Sequence, residues 1–176
     1  IQMGKKSESK REQYLDRSSD LIKNVIDEVR RISKALVVPG MHEIGVLENI
    51  QNLLHDLSDI HPVKFTFYKD ENLHTLIDKK IQLTIFRIVQ EQVGNILKHA
   101  NATRANIDLT LHDEQVQLHI SDDGVGYDQQ HPVNGVGILN IKSRVHVNHG
   151  SMQISSSPGN GFTLDVSLPL HSTAKD

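Results

Sequence analysis

Residues 86–100 read FRIVQEQVGNILKHA, and the spacing inside this stretch decides the fold. Ile85, Ile88, Val89, Val93, Ile96, Leu97 and Ala100 recur at helical intervals and mark one apolar face turned to a core. Ile81 extends that face upstream, so a long helix is expected over about Leu76 to Ala100. Glu91, Asn95 and Lys98 follow one another at intervals of four and three, which places them together on a single polar face. A carboxylate, an amide oxygen and an ammonium in a row suit a magnesium-bound polyphosphate. Mg²⁺ takes oxygen ligands and accepts few from protein, an ammonium neutralises phosphate charge, and a carboxylate can polarise a hydroxyl or water. The plain alternative is a solvated face of helix-stabilising pairs.

Outward from this helix the pattern changes period. Downstream, Ile107, Leu109 and Leu111, then Val116, Leu118 and Ile120, alternate with polar residues as half-buried strands do, with Asp113-Glu114 as a short turn between them. The stretch from Asp122 to Gly137 is rich in Gly, Asp, Gln and Asn, and reads as a long loop inside a compact domain, where long loops are usually functional. A helix over about Val136 to Asn148 follows. Two last strands carry Met152 and Ile154, then Phe162, Leu164, Val166 and Leu168, joined by a turn at Pro158-Gly159-Asn160-Gly161. Upstream, Val63, Phe65 and Phe67 alternate as a strand, preceded by a helix near His42 to Leu57. Hairpin-linked strands and helices in blocks predict an α+β fold, a two-layer sandwich of helices on a mixed, largely antiparallel sheet.

The N-terminal segment is expected to be a long helix over about Glu8 to Leu36, ended by Pro39-Gly40. Ile22, Val25, Val29, Ile32 and Leu36 step by three and four along it, the narrow stripe of a coiled coil, while Asp27, Glu28, Arg30 and Arg31 stay outside. A narrow stripe calls for a partner helix. The domain boundaries expected are 1–40 for this helix and its linker, 41–172 for the main domain and 173–176 for a tail.

Composition narrows the function classes. The chain has 176 residues, 37% of them hydrophobic and 23% charged, with a net charge of −3, so bulk charge draws it neither to nucleic acid nor to an anionic membrane. Cysteine is absent, which removes disulfides, thiolate metal sites and a thiol nucleophile. No apolar run reaches the ~18–20 residues of a membrane span. A cytoplasmic location is expected, in a parent protein whose other parts could be membrane-anchored.

Two further motifs carry chemistry. Asp122-Asp123-Gly124-Val125-Gly126 leaves the strand that ends at Ile120. A carboxylate fixed at a strand end can accept from the exocyclic amine of adenine, and glycines let the backbone turn sharply against a ligand. The alternative is a tight turn and nothing more. Gly135-Val136-Gly137 opens a helix, whose free N–H groups and dipole favour an anion. There is no GxxxxGK[ST] sequence and no GxGxxG after a first strand, which argues against P-loop and Rossmann sites. His146 and His149 have the spacing of a metal pair but lack an evident third ligand.

In this order, around one long loop, the three elements resemble those of the GHKL ATPase superfamily. The likeness is closest to the sensor histidine kinases of the NarX and LiaS type. FRIVQEQVGNILKHA is similar to that subgroup's asparagine box, and DDGVGYD and GVGILNIKSRV to its two glycine boxes. The resemblance covers about Met41 to Leu170, and the N-terminal helix resembles the second helix of the subgroup's dimerisation bundle. It implies a Bergerat-type ATP-binding fold preceded by a long helix, and MgATP as cofactor. It also implies that Asn95 coordinates Mg²⁺, that Glu91 is the catalytic base or water-orienting group, and that Lys98 and His99 approach the phosphates. Asp122 would accept from adenine against a wall shaped by Gly124 and Gly126. Gly135, Val136 and Gly137 would meet the phosphates through backbone N–H groups, with Tyr127 to Asn134 as the lid over ATP. Arg87 and Arg144 also match the pattern, and Arg87, four residues before Glu91, reads as its helix-surface partner. Phe162 stands where the family often has Thr, with Thr163 next to it as the candidate adenine contact. Gly94 stands where Asn or Thr is common.

The function so implied is transfer of the γ-phosphate of ATP to a histidine. The partners are a histidine-bearing bundle of the parent protein, a response regulator and a homodimer through the N-terminal helix. The acceptor histidine box is missing. His55-Asp56 is too close to the asparagine box to replace it and reads as ordinary surface. Two other readings stay open: a GHKL serine kinase of the anti-sigma type, and a degenerate GHKL module that only binds a partner.

Overall fold

A computed structural model describes residues 45–71, 73–127 and 136–171. The expected N-terminal helix, its break at Pro39-Gly40 and the tail from 173 lie outside the described residues, as do 128–135 within the long loop. In chain order the elements are α1 (Gly45–Ser58), β1 (Lys64–Lys69), the single turn α2 (Leu73–Leu76), α3 (Lys79–Asn95) continued by a π-turn over Ile96–Ala100, β2 (Arg104–His112), β3 (Gln115–Asp122), α4 (Val136–Val147), β4 (Ser151–Ser156) and β5 (Phe162–Pro169).

The five strands form one open sheet in the order β1-β2-β3-β5-β4. β1 runs parallel to β2 and every other neighbouring pair is antiparallel. The mixed, largely antiparallel sheet with helices on one face is the α+β sandwich the sequence predicts. Strand alternation sorts its two faces. Ala105, Ile107 and Leu109 on β2, Val116, Leu118 and Ile120 on β3, and Phe162, Leu164, Val166 and Leu168 on β5 are all buried. The opposite face is polar, as in the cross-strand rows Asn106-Ser121-Thr163-Ser155 and Asp108-His119-Asp165-Gln153. Against the apolar face lie Ile81, Ile85, Ile88 and Val89 of α3, each 0% exposed, with Val46 and Ile50 of α1 and Ile141 of α4. Each such side chain contributes about 1.5–3 kcal/mol by leaving water.

The long helix starts later than its apolar pattern suggests. Asp78 caps α3, its Oδ1 accepting from Ile81 N at 2.8 Å, and loss of such a cap costs about 1 kcal/mol. Leu76, expected as the first helical residue, instead ends α2, and its side chain is 43% exposed. Helical spacing carried the expected helix across a break that only the cap reveals. At the other end the helix widens into the π-turn and stops at Asn101, which takes a left-handed φ of 49°. The Asp113-Glu114 turn is as short as expected, with both residues at positive φ (49° and 60°).

Candidate functional site

Asp122 is the last residue of β3, and alternation turns it to the same side as Leu118 and Ile120, toward the helices. Its Oδ1 accepts from Gly124 N at 2.9 Å, which folds the chain back directly after the strand. Three backbones meet here with no room for side chains. A Cβ on Gly124 would overlap the Ala100 carbonyl oxygen and lie 2.8 Å from Ala100 Cβ. Gly126 and Gly161 both hold positive φ (62° and 66°), and their Cβ positions are taken by the carbonyls of Ser157 and Asp122. Val125 N donates to Ala100 O (2.8 Å), Gly159 N to Val125 O (2.7 Å) and Gly161 N to Gly124 O (3.0 Å). The end of α3, the Asp122–Gly126 turn and the β4–β5 turn are thereby joined, and the carboxylate of Asp122 is fixed between them. Burial raises the Asp122 carboxyl above the usual aspartate value. The Gly124 hydrogen bond opposes this and the charge of Asp123 adds to it.

Asp123 does a different job. It accepts from Thr103 N (2.7 Å), Thr103 Oγ1 (2.7 Å) and Arg104 N (2.8 Å), with Arg104 Nε at 3.4 Å. The Thr103 hydroxyl bond first, then the backbone donors, hold its carboxyl far below the ordinary 3.8. The folded value lies below the unfolded one, so the unfolded chain binds the proton more tightly in that interval. The stability Asp123 contributes is therefore complete above about pH 3.8 and is lost as pH falls toward its folded value. Asp123→Ala is expected to lower the denaturation midpoint at pH 7, with the deficit against the parent chain shrinking as the pH is taken below about 3.8. Denaturant titrations at several pH values check this. Alternation along β3 puts Asp122 on the apolar side, but the structural task of Asp123 emerges only from the β2 start it holds.

Glu91 and Asn95 come together as their spacing predicts. Both are half-buried on α3 and face the first turn of α4. A Cβ on Gly137 would overlap the Glu91 carboxylate and approach Asn95 Oδ1 to 3.2 Å, so a side chain here would push the Glu91 carboxylate aside. Glu91 has no hydrogen-bond or ion-pair partner among the described residues. The expected Arg87–Glu91 pair does not form, because Glu91 turns to Gly137 while Arg87 Nη1 donates to Gln90 Oε1 at 2.9 Å. Burial first, and then the nearby charge of Arg144 on α4, lower the Arg87 guanidinium from its usual value. Asn95 Nδ2 donates to Gln92 Oε1 at 3.2 Å, a contact the sequence reading missed because Gln92 falls among apolar neighbours on the buried face.

The remaining expected residues scatter around this pair. Lys98 and His99 are exposed on the π-turn, whose wider winding carries them off the line that α-helical spacing draws from Glu91 through Asn95. Val136 opens α4 with its side chain 70% exposed, leaving only its backbone to contribute, and Gly135 lies outside the described residues. Thr163 is not brought to Asp122: it pairs with Ser121 and Ser155 on the polar face of the sheet, and the period of two sends it away from the helices. The residue beside Asp122 is its cross-strand partner Phe162, 8% exposed and stacked on Tyr127 with ring centroids 5.9 Å apart. Gly94 shows no close approach, since nothing lies within 4 Å of an added Cβ. Its helix cost of ~1 kcal/mol brings no packing return in the structure.

Residues 80–172, more than half of the chain, match the model of the histidine kinase-, DNA gyrase B-, and HSP90-like ATPase family. The chain belongs to that family. Among relatives of this ATPase domain, the signal transduction histidine-protein kinase/phosphatase DegS of Brevibacillus brevis is 26% identical over 151 residues, covering 85% of this chain and 39% of DegS. The sensor protein VraS of Staphylococcus aureus (strain COL) is 27% identical over 169 residues, covering 93% of this chain and 48% of VraS. The chain thus spans less than half the length of either relative. Its fold is that of the histidine kinase domain from the blue-light activated histidine kinase of Erythrobacter litoralis EL346. That structure matches with a TM-score of 0.59 at 18% identity, over 71% of this chain and 61% of the other.

Among the described residues no helix is long and apolar enough to cross a membrane. None of their His, Asp or Glu side chains gather in groups of three or more placed to hold a metal ion. An ATPase of this family asks for less, because Mg²⁺ that arrives on nucleotide phosphates brings most of its own oxygen ligands. One amide oxygen, Asn95 Oδ1, beside one unpaired carboxylate, Glu91, fits that demand.

Proposed function

We propose that this chain is the ATP-binding catalytic part of a cytoplasmic sensor histidine kinase. It positions MgATP so that the γ-phosphate passes to a histidine on the dimerisation bundle of the parent protein, from which a response regulator takes it. The observation that carries the reading is the pairing of two poles on the helix side of the sheet. A fixed, half-buried carboxylate, Asp122, sits at the end of β3. A carboxylate–amide pair, Glu91 and Asn95, abuts the α4 start. The π-turn that continues α3 links them, since Val125, beside Gly124, donates its N–H to Ala100 O.

Asp122 would accept from the adenine amine, with Gly124 and Gly126 bringing the turn against the base and the Phe162–Tyr127 pair as an apolar wall beside it. The phosphates would then run toward α4, where the N–H groups of Val136 and Gly137 and the helix dipole favour anions, and the N–H of Gly135 would add a third donor. Lys98 and His99 add positive charge from the π-turn. Asn95 Oδ1 would hold Mg²⁺, which supplies charge neutralisation on the transferring phosphate. Glu91, free of other partners, orients the attacking histidine or takes its proton. Phosphoryl transfer asks a protein mainly for such positioning and electrostatic stabilisation. The N-terminal helix would pair the chain into a homodimer through its apolar stripe.

Incubating the chain with radiolabelled ATP and a histidine-bearing bundle fragment of a DegS- or VraS-like kinase tests the chemistry. Label on the bundle that is lost in acid and kept in alkali is expected. Label that survives acid would assign the chain to serine transfer instead.

A further inference from the structure

We propose that Gln92 is a positioning residue for this site: it orients the side-chain amide of Asn95 so that the oxygen, not the nitrogen, faces the first turn of α4. The inference rests on the reading of Asn95 as the magnesium ligand given above.

An asparagine amide has two ends of nearly equal shape and opposite chemistry. Oxygen can bind a cation, whereas the NH₂ end offers only donors and repels one. Nothing in the backbone of α3 distinguishes the two orientations, so something beside the amide must. Gln92 lies one turn before Asn95, and its Oε1, an atom with no proton to give, accepts from Asn95 Nδ2 at 3.2 Å. That bond is available while Gln92 presents Oε1; the inverted pair, with Gln92 Nε2 donating to Asn95 Oδ1, would turn the amide the other way, so the orientation of Asn95 follows the end that Gln92 offers. With the nitrogen held by Gln92, Oδ1 is the end that comes to 3.2 Å of where a Gly137 Cβ would be, at the mouth of α4.

The placement of Gln92 also lacks an ordinary packing reason. It is 2% exposed, on the face of α3 that otherwise carries Ile88, Val89, Val93 and Ile96, each at most 1% exposed. A buried amide in such a row costs free energy unless its polar atoms are used, and an apolar residue of the same length would fill the space. The atom it does use is the one that points Asn95.

The test is calorimetric titration of ADP with and without Mg²⁺ into three chains: the parent, Gln92→Met and Gln92→Glu. Methionine keeps the length and burial but removes the acceptor, while glutamate keeps an acceptor oxygen in the same place. The expected result is that Mg²⁺ strengthens ADP binding to the parent and to Gln92→Glu, and that this strengthening falls about tenfold in Gln92→Met while magnesium-free binding stays within about twofold, in line with the 10–100-fold loss typical when a group orienting a metal ligand is removed. A merely structural role for Gln92 would weaken both kinds of binding together. An undiminished magnesium effect in Gln92→Met overturns the proposal and leaves the nucleotide site standing. A parent chain that binds no nucleotide, or binds it without regard to Mg²⁺, overturns both. Should Gln92→Met fail to fold, NMR of the parent decides: one Asn95 side-chain N–H proton is expected to exchange slowly with solvent, and exchange as fast as that of an exposed asparagine contradicts the bond.

Discussion

Gly161→Ala is expected to destabilise the domain by about 2–4 kcal/mol, the sum of a left-handed backbone that a side chain resists and a contact that cannot relax. Gly161 holds φ at 66°, and the atom in the way of a new Cβ is the carbonyl oxygen of Asp122, part of the backbone rather than the tip of a flexible side chain. Relief would require β5 to slide off the β3 end, which breaks the Gly161 N to Gly124 O bond and the Ser156 Oγ to Gly161 O bond (3.0 and 2.7 Å). The same shift moves Asp122. Nucleotide affinity is therefore expected to fall together with the denaturation midpoint, whereas Gly159→Ala, at φ 80° with nothing within 4 Å of its Cβ, should show only the backbone cost. Urea titrations of both variants, beside nucleotide titrations, separate the two effects. Equal stability loss in both would mean that the crowding at Asp122 carries no weight.

Asn95→Ala is expected to lower affinity for magnesium nucleotide by about a hundredfold, the upper range for disturbing a metal-ligand set, with much less effect on binding without Mg²⁺. Stability should fall by only about 1 kcal/mol, because Gln92 Oε1 is left buried without its donor and the Asn95 side chain makes no other hydrogen bond among the described residues. Asn95→Asp keeps the oxygen and should keep most of the magnesium effect. A variant in which binding with and without Mg²⁺ falls in parallel would point to lost shape rather than a lost ligand.

Much of this was legible in the sequence because it lives in periodicity. Period two in Ile107 to Leu111 and Val116 to Ile120 gave the hairpin, and helical spacing in Ile81 to Ile96 gave the core face of α3. The Glu91–Asn95 interval gave a pair that the structure brings against Gly137. What failed has physical causes of two kinds. Spacing assumes an unbroken α-helix, so it missed the cap at Asp78, which shifts the helix start, and the π-turn over Ile96–Ala100 that carries Lys98 and His99. Sequence adjacency also says nothing about strand faces. Thr163 and Phe162 are neighbours in the chain, yet they stand on opposite sides of the sheet, and it is the aromatic residue that meets Asp122. Gln92 and Asp123 were missed because each acts through a hydrogen bond to a residue that only the fold brings into reach, or only its geometry orients.

The central claim is that Asp122 reads an adenine nucleotide whose phosphates lie toward Asn95. The most direct measurement is calorimetric titration of ADP, with Mg²⁺ present, into the parent chain and into Asp122→Asn. Asparagine can still accept from Gly124 N and so preserve the turn, but it presents an NH₂ group where the adenine amine needs an acceptor. Saturable binding to the parent chain, lost in Asp122→Asn while the fold survives, is the result predicted. Undiminished binding in that variant, or no binding by the parent chain at millimolar nucleotide, would contradict it.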